Sequence, residues 1–173
     1  MVGTCHFLQE LLADYTLVCC AIGGTGIDEW QKDGVLYSQC LAAIEQAGNP
    51  VTAIFHFQGE RETANRKRAH AWLSLTKTFV RSLRRDIAIW NAGNQREVQF
   101  IYAQLGSYPG DFDRPYWRYI QNAGAKLQTR IPNAHMIQTF DITPYCDKPH
   151  WCEAGYREIA SRYFYKFMET ERK

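Results

Sequence analysis

No stretch of the sequence is long and apolar enough to span a bilayer, so a membrane-crossing helix is excluded. The chain also does not open with a basic segment followed by an apolar run. Met1 is followed by Gly3, Cys5, His6 and Glu10, so no signal peptide is expected and the chain as written reads as soluble and unexported. Net charge is close to balanced, +2 at pH 7 over 173 residues. Without a concentrated patch, that total implies neither a nucleic-acid nor a membrane partner. No internal repeat, low-complexity tract or linker divides the chain, and 46% hydrophobic with 14% aromatic residues suits one core. Residues 1–173 are therefore read as a single domain.

A disulfide framework is not required at this size. Of the six cysteines, Cys19 and Cys20 are neighbours inside an apolar run. Most are expected to be reduced, buried small hydrophobes, with Cys146 and Cys152 left open.

Four short, continuously apolar runs read as buried strands: LVCCAI (17–22), VTAIFHF (51–57), VQFIYAQL (98–105) and HMIQTF (135–140). Between and around them, helical spacing predicts helices near 5–14, 37–47, 65–89, 115–130 and 153–170; Trp72, Leu75, Phe79 and Leu83 mark the longest. Strands alternating with helices imply βαβ units, hence an α/β fold with a mainly parallel sheet covered on both faces. Ligands of such sheets bind beyond the carboxyl ends of the strands. The segments that follow the four strands are GGTGIDEW, QGERET, GSYPGDFD and DITPYCDKPHW, so polar chemistry gathers at one sheet edge.

Three of these segments have the residue types that acyl transfer needs. Asp147 stands three residues before His150 in a stretch that Pro149 keeps non-helical, so a carboxylate and an imidazole share one small loop. Such a pair can form the base half of a hydrolytic triad, although a loop histidine capping a helix has the same spacing. Gly23 and Gly24 end the first strand, where peptide N–H groups can point at developing negative charge. A phosphate loop fits poorly there, because the third glycine is absent and Asp28 and Glu29 follow. Gln58 has an amide that can donate to an oxyanion, Gly59 permits a sharp turn, and Glu60 can orient a histidine or bind a sugar hydroxyl. The competing account of this turn is a helix N-terminus at Glu62 and Thr63.

Together, GGTGIDEW, FHFQGE and DKPHWCEAGYREIASRY resemble the carbohydrate O-acetylesterase branch of the SGNH (GDSL-like) hydrolases, which includes acetylxylan and sialate O-acetylesterases. RYIQNA, through Arg118 and Gln121, is similar to the branch's Arg-x-x-Gln helix, and the resemblance runs from about Gly3 to Phe167. It implies a three-layer α/β/α, flavodoxin-like fold and removal of acetyl groups from sugars by a serine, histidine and acid, with water as acceptor and no metal or organic cofactor. His150 would be the base and Asp147 or Glu60 its acid. Gln58 with Gly23 or Gly24 would form the oxyanion hole. Trp30, Tyr108, Phe112 and Trp151 fall in loops at the same edge and could stack on sugar rings; core packing is the alternative.

The family's first block, Gly-Asp-Ser or Gly-Gln-Ser-Asn on an N-terminal strand, has no counterpart here. Ser38, Ser74, Ser82, Ser107 and Ser161 mostly lie in helix-like segments. The resemblance therefore implies a sheet without its first strand, which would lie between 17–22 and 51–57. Either those two strands pair directly, or a strand comes from a partner chain or an upstream segment. Glu62 stands where relatives commonly have aspartate, and Arg61 where they have a small residue. A binding relic without catalysis is the alternative function.

Three further readings are weaker. Cys5 beside His6, or Cys146 near His150, could act as a thiolate nucleophile. Cys146, His150 and Cys152 are zinc-type ligands, but at no common spacing and with no evident fourth ligand. Arg66, Lys67, Arg68, Arg81, Arg84 and Arg85 flank an apolar stripe, which fits a solvated helix face better than a nucleic-acid site.

Overall fold

The computed structural model describes residues 2–48, 50–89, 91, 97–107, 110, 113–142, 145–147 and 150–172, with residues 2, 3 and 145–147 described by their backbone alone. In chain order the elements are α1 (Val2–Leu11), α2 (Val35–Ala47), β1 (Ala53–His56), α3 (Arg66–Ile87), β2 (Gln99–Ala103), α4 (Trp117–Leu127), β3 (Ala134–Ile137), β4 (Tyr145–Asp147), β5 (His150–Trp151) and α5 (Glu153–Glu171). Short 3-10 turns occupy Ile27–Trp30 and Glu62–Ala64.

β1, β2 and β3 form a parallel sheet in that order, with Phe55 beside Ile101 and Ile101 beside His135. Alternation along β1 sends neighbouring side chains to opposite layers. The Phe55 ring meets Tyr163 and Phe167 of α5 at 5.4 and 5.9 Å, while His56 meets Phe79 of α3 at 6.0 Å. α1 packs along α5, and α4 is tied to the other face by the Tyr102 hydroxyl, which donates to the Gly124 carbonyl at 2.7 Å. Helices therefore cover both faces of the sheet.

α3 shows why its sequence is helical. Asn65 caps it by accepting from the Arg68 N–H at 3.1 Å, and Arg84 and Arg85 stand in its last turn, where cations suit the helix dipole. Trp72, Thr76, Phe79, Val80, Leu83 and Ile87 are buried along one stripe, while Arg66, Lys67, Arg81 and Arg85 are exposed. The basic run is the outer face of a core helix.

The expected strand at 17–22 does not form. Leu17 to Ile22 belong to no strand, Cys19 is exposed and Ile22 is 49% exposed. Strand structure needs a ladder partner, and the run does not pair with β1, whose only neighbour in the sheet among the described residues is β2. The Leu17 N–H instead donates to the Gln9 side chain of α1 at 3.0 Å. Cys5, Cys19, Cys20 and Cys40 are free, as expected, but of these only Cys40 is buried, and Cys152, which the sequence left open, is disulfide-bonded.

Candidate functional site

The turn after β1 is built around Gly59. It has φ +137, and a Cβ there would lie 2.8 Å from Cγ2 of Ile120 and about as close as contact allows to the Trp72 indole. This tight approach lets Trp72 Nε1 donate to Gln58 Oε1 at 2.7 Å, which settles the amide's orientation. Gln58 Nε2 then donates to Glu62 Oε2 at 2.6 Å, leaving its second hydrogen for another acceptor.

Glu62, 1% exposed, joins this turn to the glycine loop. Its other oxygen, Oε1, accepts from the Ile27 N–H at 2.7 Å. One buried carboxylate thus serves two donors, one from its own turn and one 35 residues before it in the chain. Arg61 reaches the same loop from outside: its guanidinium donates to the Gly24 carbonyl at 2.8 Å and pairs with Glu29. Glu29 in turn accepts from the Gly26 N–H at 2.9 Å. Gly23 and Gly24 are exposed, with open space where a Cβ would stand, and Gly24 has φ +75. Trp30, half-buried, donates through Nε1 to the Thr25 hydroxyl at 2.9 Å.

Asp147 and His150, read as sharing a loop, are cross-strand partners in the antiparallel β4–β5 hairpin, with the residues between them outside those described. The Asp147 side chain also lies outside the description. His150 is exposed. It lies close enough to Glu60 for its charge to favour the ionised carboxyl, yet the Glu60 carboxyl is held above its usual range by burial, with the Glu62 charge acting in the same direction. The Tyr156 phenol is also pushed up, mainly by burial and next by the Glu60 charge. Glu60, His150 and the first turn of α5 therefore share one electrostatic environment.

Trp151 is placed differently from a sugar platform. It is 6% exposed, its Nε1 donates to the Ile142 carbonyl at 3.2 Å, and its ring packs on Phe57 and Tyr156 at 5.4 and 6.2 Å. Its role in this structure is to seat the hairpin on the core. Tyr108 and Phe112 lie outside the described residues. Gln121 anchors the loop after β2, donating through Nε2 to the carbonyls of Leu105 and Gly106 at 2.9 and 2.6 Å, whereas Arg118 is exposed.

Four serines are helical: Ser38 in α2, Ser74 and Ser82 in α3, Ser161 in α5. Ser107 donates to the Phe140 carbonyl at 2.5 Å. Among the described residues no three His, Cys, Asp or Glu side chains group as a metal site, and no helix is long and apolar enough to cross a membrane. The residue that sequence reasoning passed over is Glu62. Its signals were its place four residues after Gln58 and its stand-in for the aspartate common in the resembled family, and neither distinguishes a bridging carboxylate from one that opens a helix.

Comparison with known proteins bears on the same segments. The chain is 28% identical over 95 residues to a probable carbohydrate esterase of Arabidopsis thaliana, a match covering 53% of this chain and 35% of that protein. The crystal structure of an Arabidopsis thaliana protein superposes with a TM-score of 0.77 at 19% identity, covering 96% of this chain and 66% of that one. This chain thus spans about a third of the curated relative and two thirds of the crystallised chain, and the structural likeness establishes the α/β fold. The profile described as carbohydrate esterase, sialic acid-specific acetylesterase matches residues 6–169. The chain belongs to that carbohydrate esterase family.

Proposed function

We propose that this protein acts in SGNH-type deacetylation of acetylated sugars through a serine, a histidine and an acid. What supports the reading is one arrangement: Glu62 fixes the Gln58 amide against the glycine loop, while His150 and Glu60 lie within each other's field beside them. In this mechanism the serine oxygen attacks the acetyl carbonyl as His150 takes its proton. The second amide hydrogen of Gln58 and a peptide N–H of Gly23 or Gly24 hold the oxyanion. The sugar oxygen leaves with the proton from His150, and water, deprotonated by the same histidine, frees acetate from the acyl-serine. Asp147 or Glu60 orients the imidazole. Trp30 borders the sugar, and Trp151 holds the hairpin that bears the base.

The serine is assigned to a strand that pairs with the open edge of β1, from an upstream segment or a partner chain. A second reading, a non-catalytic module that binds carbohydrate or protein, is favoured for residues 1–173 alone by the helical or engaged position of all five serines.

Hydrolysis of an acetyl ester by the protein purified together with the upstream segment or partner chain that supplies the strand, with and without a serine-directed phosphonate, separates the two. For the catalytic reading, His150→Ala lowers kcat/KM by about a thousandfold and the phosphonate labels the nucleophile. A folded chain with no hydrolysis, but with saturable sugar binding that Gln58→Ala weakens, gives the binding reading instead.

A further inference from the structure

We propose that Cys5 and Cys19 are a disulfide-forming pair, a redox modification site that staples α1 to the segment leading into the glycine loop. Their sulfurs lie 2.8 Å apart, with the Cys19 thiol donating to Cys5 Sγ. A formed bond measures about 2.05 Å, so closure needs roughly 0.8 Å of movement. Cys5 sits in α1 and is half-buried, whereas Cys19 is exposed and open to a reagent. The adjacent Cys20 is engaged elsewhere: its thiol approaches the carbonyl of buried Cys40 at 3.9 Å. The protein already carries one disulfide, at Cys152.

The segment the staple would hold is tied down by isolated side-chain contacts, from the Leu17 N–H to Gln9 and from the Cys20 thiol to the Cys40 carbonyl, and not by a strand ladder. Residues 17–22 have no ladder bonds, and Cys19 stands four residues before Gly23. A small-molecule disulfide such as oxidised glutathione is the oxidant. The Cys19 thiolate attacks one of its sulfurs and releases a thiolate, leaving a mixed disulfide. Cys5, deprotonated, then attacks Cys19 Sγ and expels the second thiolate. Two protein thiols lose two electrons, which reduce the glutathione disulfide to two thiols. Burial, together with Cys19, pushes the Cys5 thiol up to about 12, so the exposed Cys19 is the first to react.

The test uses the full chain, reduced, then exposed to oxidised glutathione, alkylated and cleaved without reductant by a Glu-specific protease. Cuts after Glu10 and Glu29 separate the two cysteines. The expected product is peptide 1–10 linked to peptide 11–29 at Cys19, with an unfolding temperature roughly 5–10 °C above that of the reduced chain. Cys19→Ser loses both the link and the thermal gain, while Cys20→Ser keeps both. A stable glutathione adduct on Cys19, separate alkylation of Cys5 and Cys19, or a link from Cys5 to Cys20 would each overturn the proposal.

Discussion

β2 and β1 lie in register, Ile101 against Phe55, and both come from apolar runs. β2 has a strand on each side, and four of its five residues are buried; among the described residues β1 has one neighbour, and all four of its residues are only half-buried. The bond from the Gln99 N–H to the Thr52 carbonyl sets the phase, so residues 52, 54 and 56 address β2 while the Ala53 and Phe55 backbone groups face the open edge. The difference teaches that an apolar run specifies a strand's faces, whereas its edges are settled by what lies beside it. The 17–22 run is the extreme case: as apolar as the others and with no strand beside it, it forms none.

The largest expected effect sets the two strands against each other directly. Phe100→Ala removes a fully buried ring and is expected to cost about 4 kcal/mol, while Phe55→Ala in the half-buried strand costs roughly 2 kcal/mol. Urea denaturation of both variants checks this. Equal losses would mean that something covers β1 in solution, breaking the contrast.

His56 sharpens the comparison through pH. Its ring lies beside Phe79 and Phe100, its Nε2 is buried without a partner among the described residues, and burial lowers its pKa to about 4. The unfolded chain takes up this proton near pH 6.5 and the folded chain only near 4, so stability falls as pH drops through that window. The full loss is up to about 3 kcal/mol. Denaturation midpoints measured from pH 7 to 4 should show this slope in the parent chain, and His56→Phe should flatten it.

Much of the fold was legible because helices and buried strands leave periodic signals: β1, β2, α3 and α4 fall within their predicted segments, and β3, α1, α2 and α5 overlap theirs with ends displaced by up to three residues. The β4–β5 hairpin was not, since strands of three and two residues around Pro149 are too short to show a period. Gln58, Glu60, His150 and the glycines stood out because their types are unusual at strand ends. Trp151 was equally visible, but a single sequence does not say whether an indole faces the cleft or the core.

The smallest effects concern the two residues that hold the end of β1. Glu62→Gln places an amide donor against the Ile27 N–H or the Gln58 amide, and about 2 kcal/mol should be lost with one buried donor unpaired. Arg61→Ala removes a partly exposed pair and should cost about 0.5 kcal/mol. Measured in a double-mutant cycle by thermal denaturation, the two losses should not add, because both act on the same loop. Simple additivity would mean that the two contacts act independently.

Arg61 and Glu62 grip the glycine loop from within the turn that Gln58 opens, and Glu62 also holds the Gln58 amide, which ties the length of that turn to a contact made far away in the chain. Related chains that keep both anchors should therefore show neither insertion nor deletion between positions 58 and 62. The connection before α2, closed by the Gly34 N–H to the Gln31 carbonyl at 3.0 Å, is free to lengthen over evolutionary time without moving the loop.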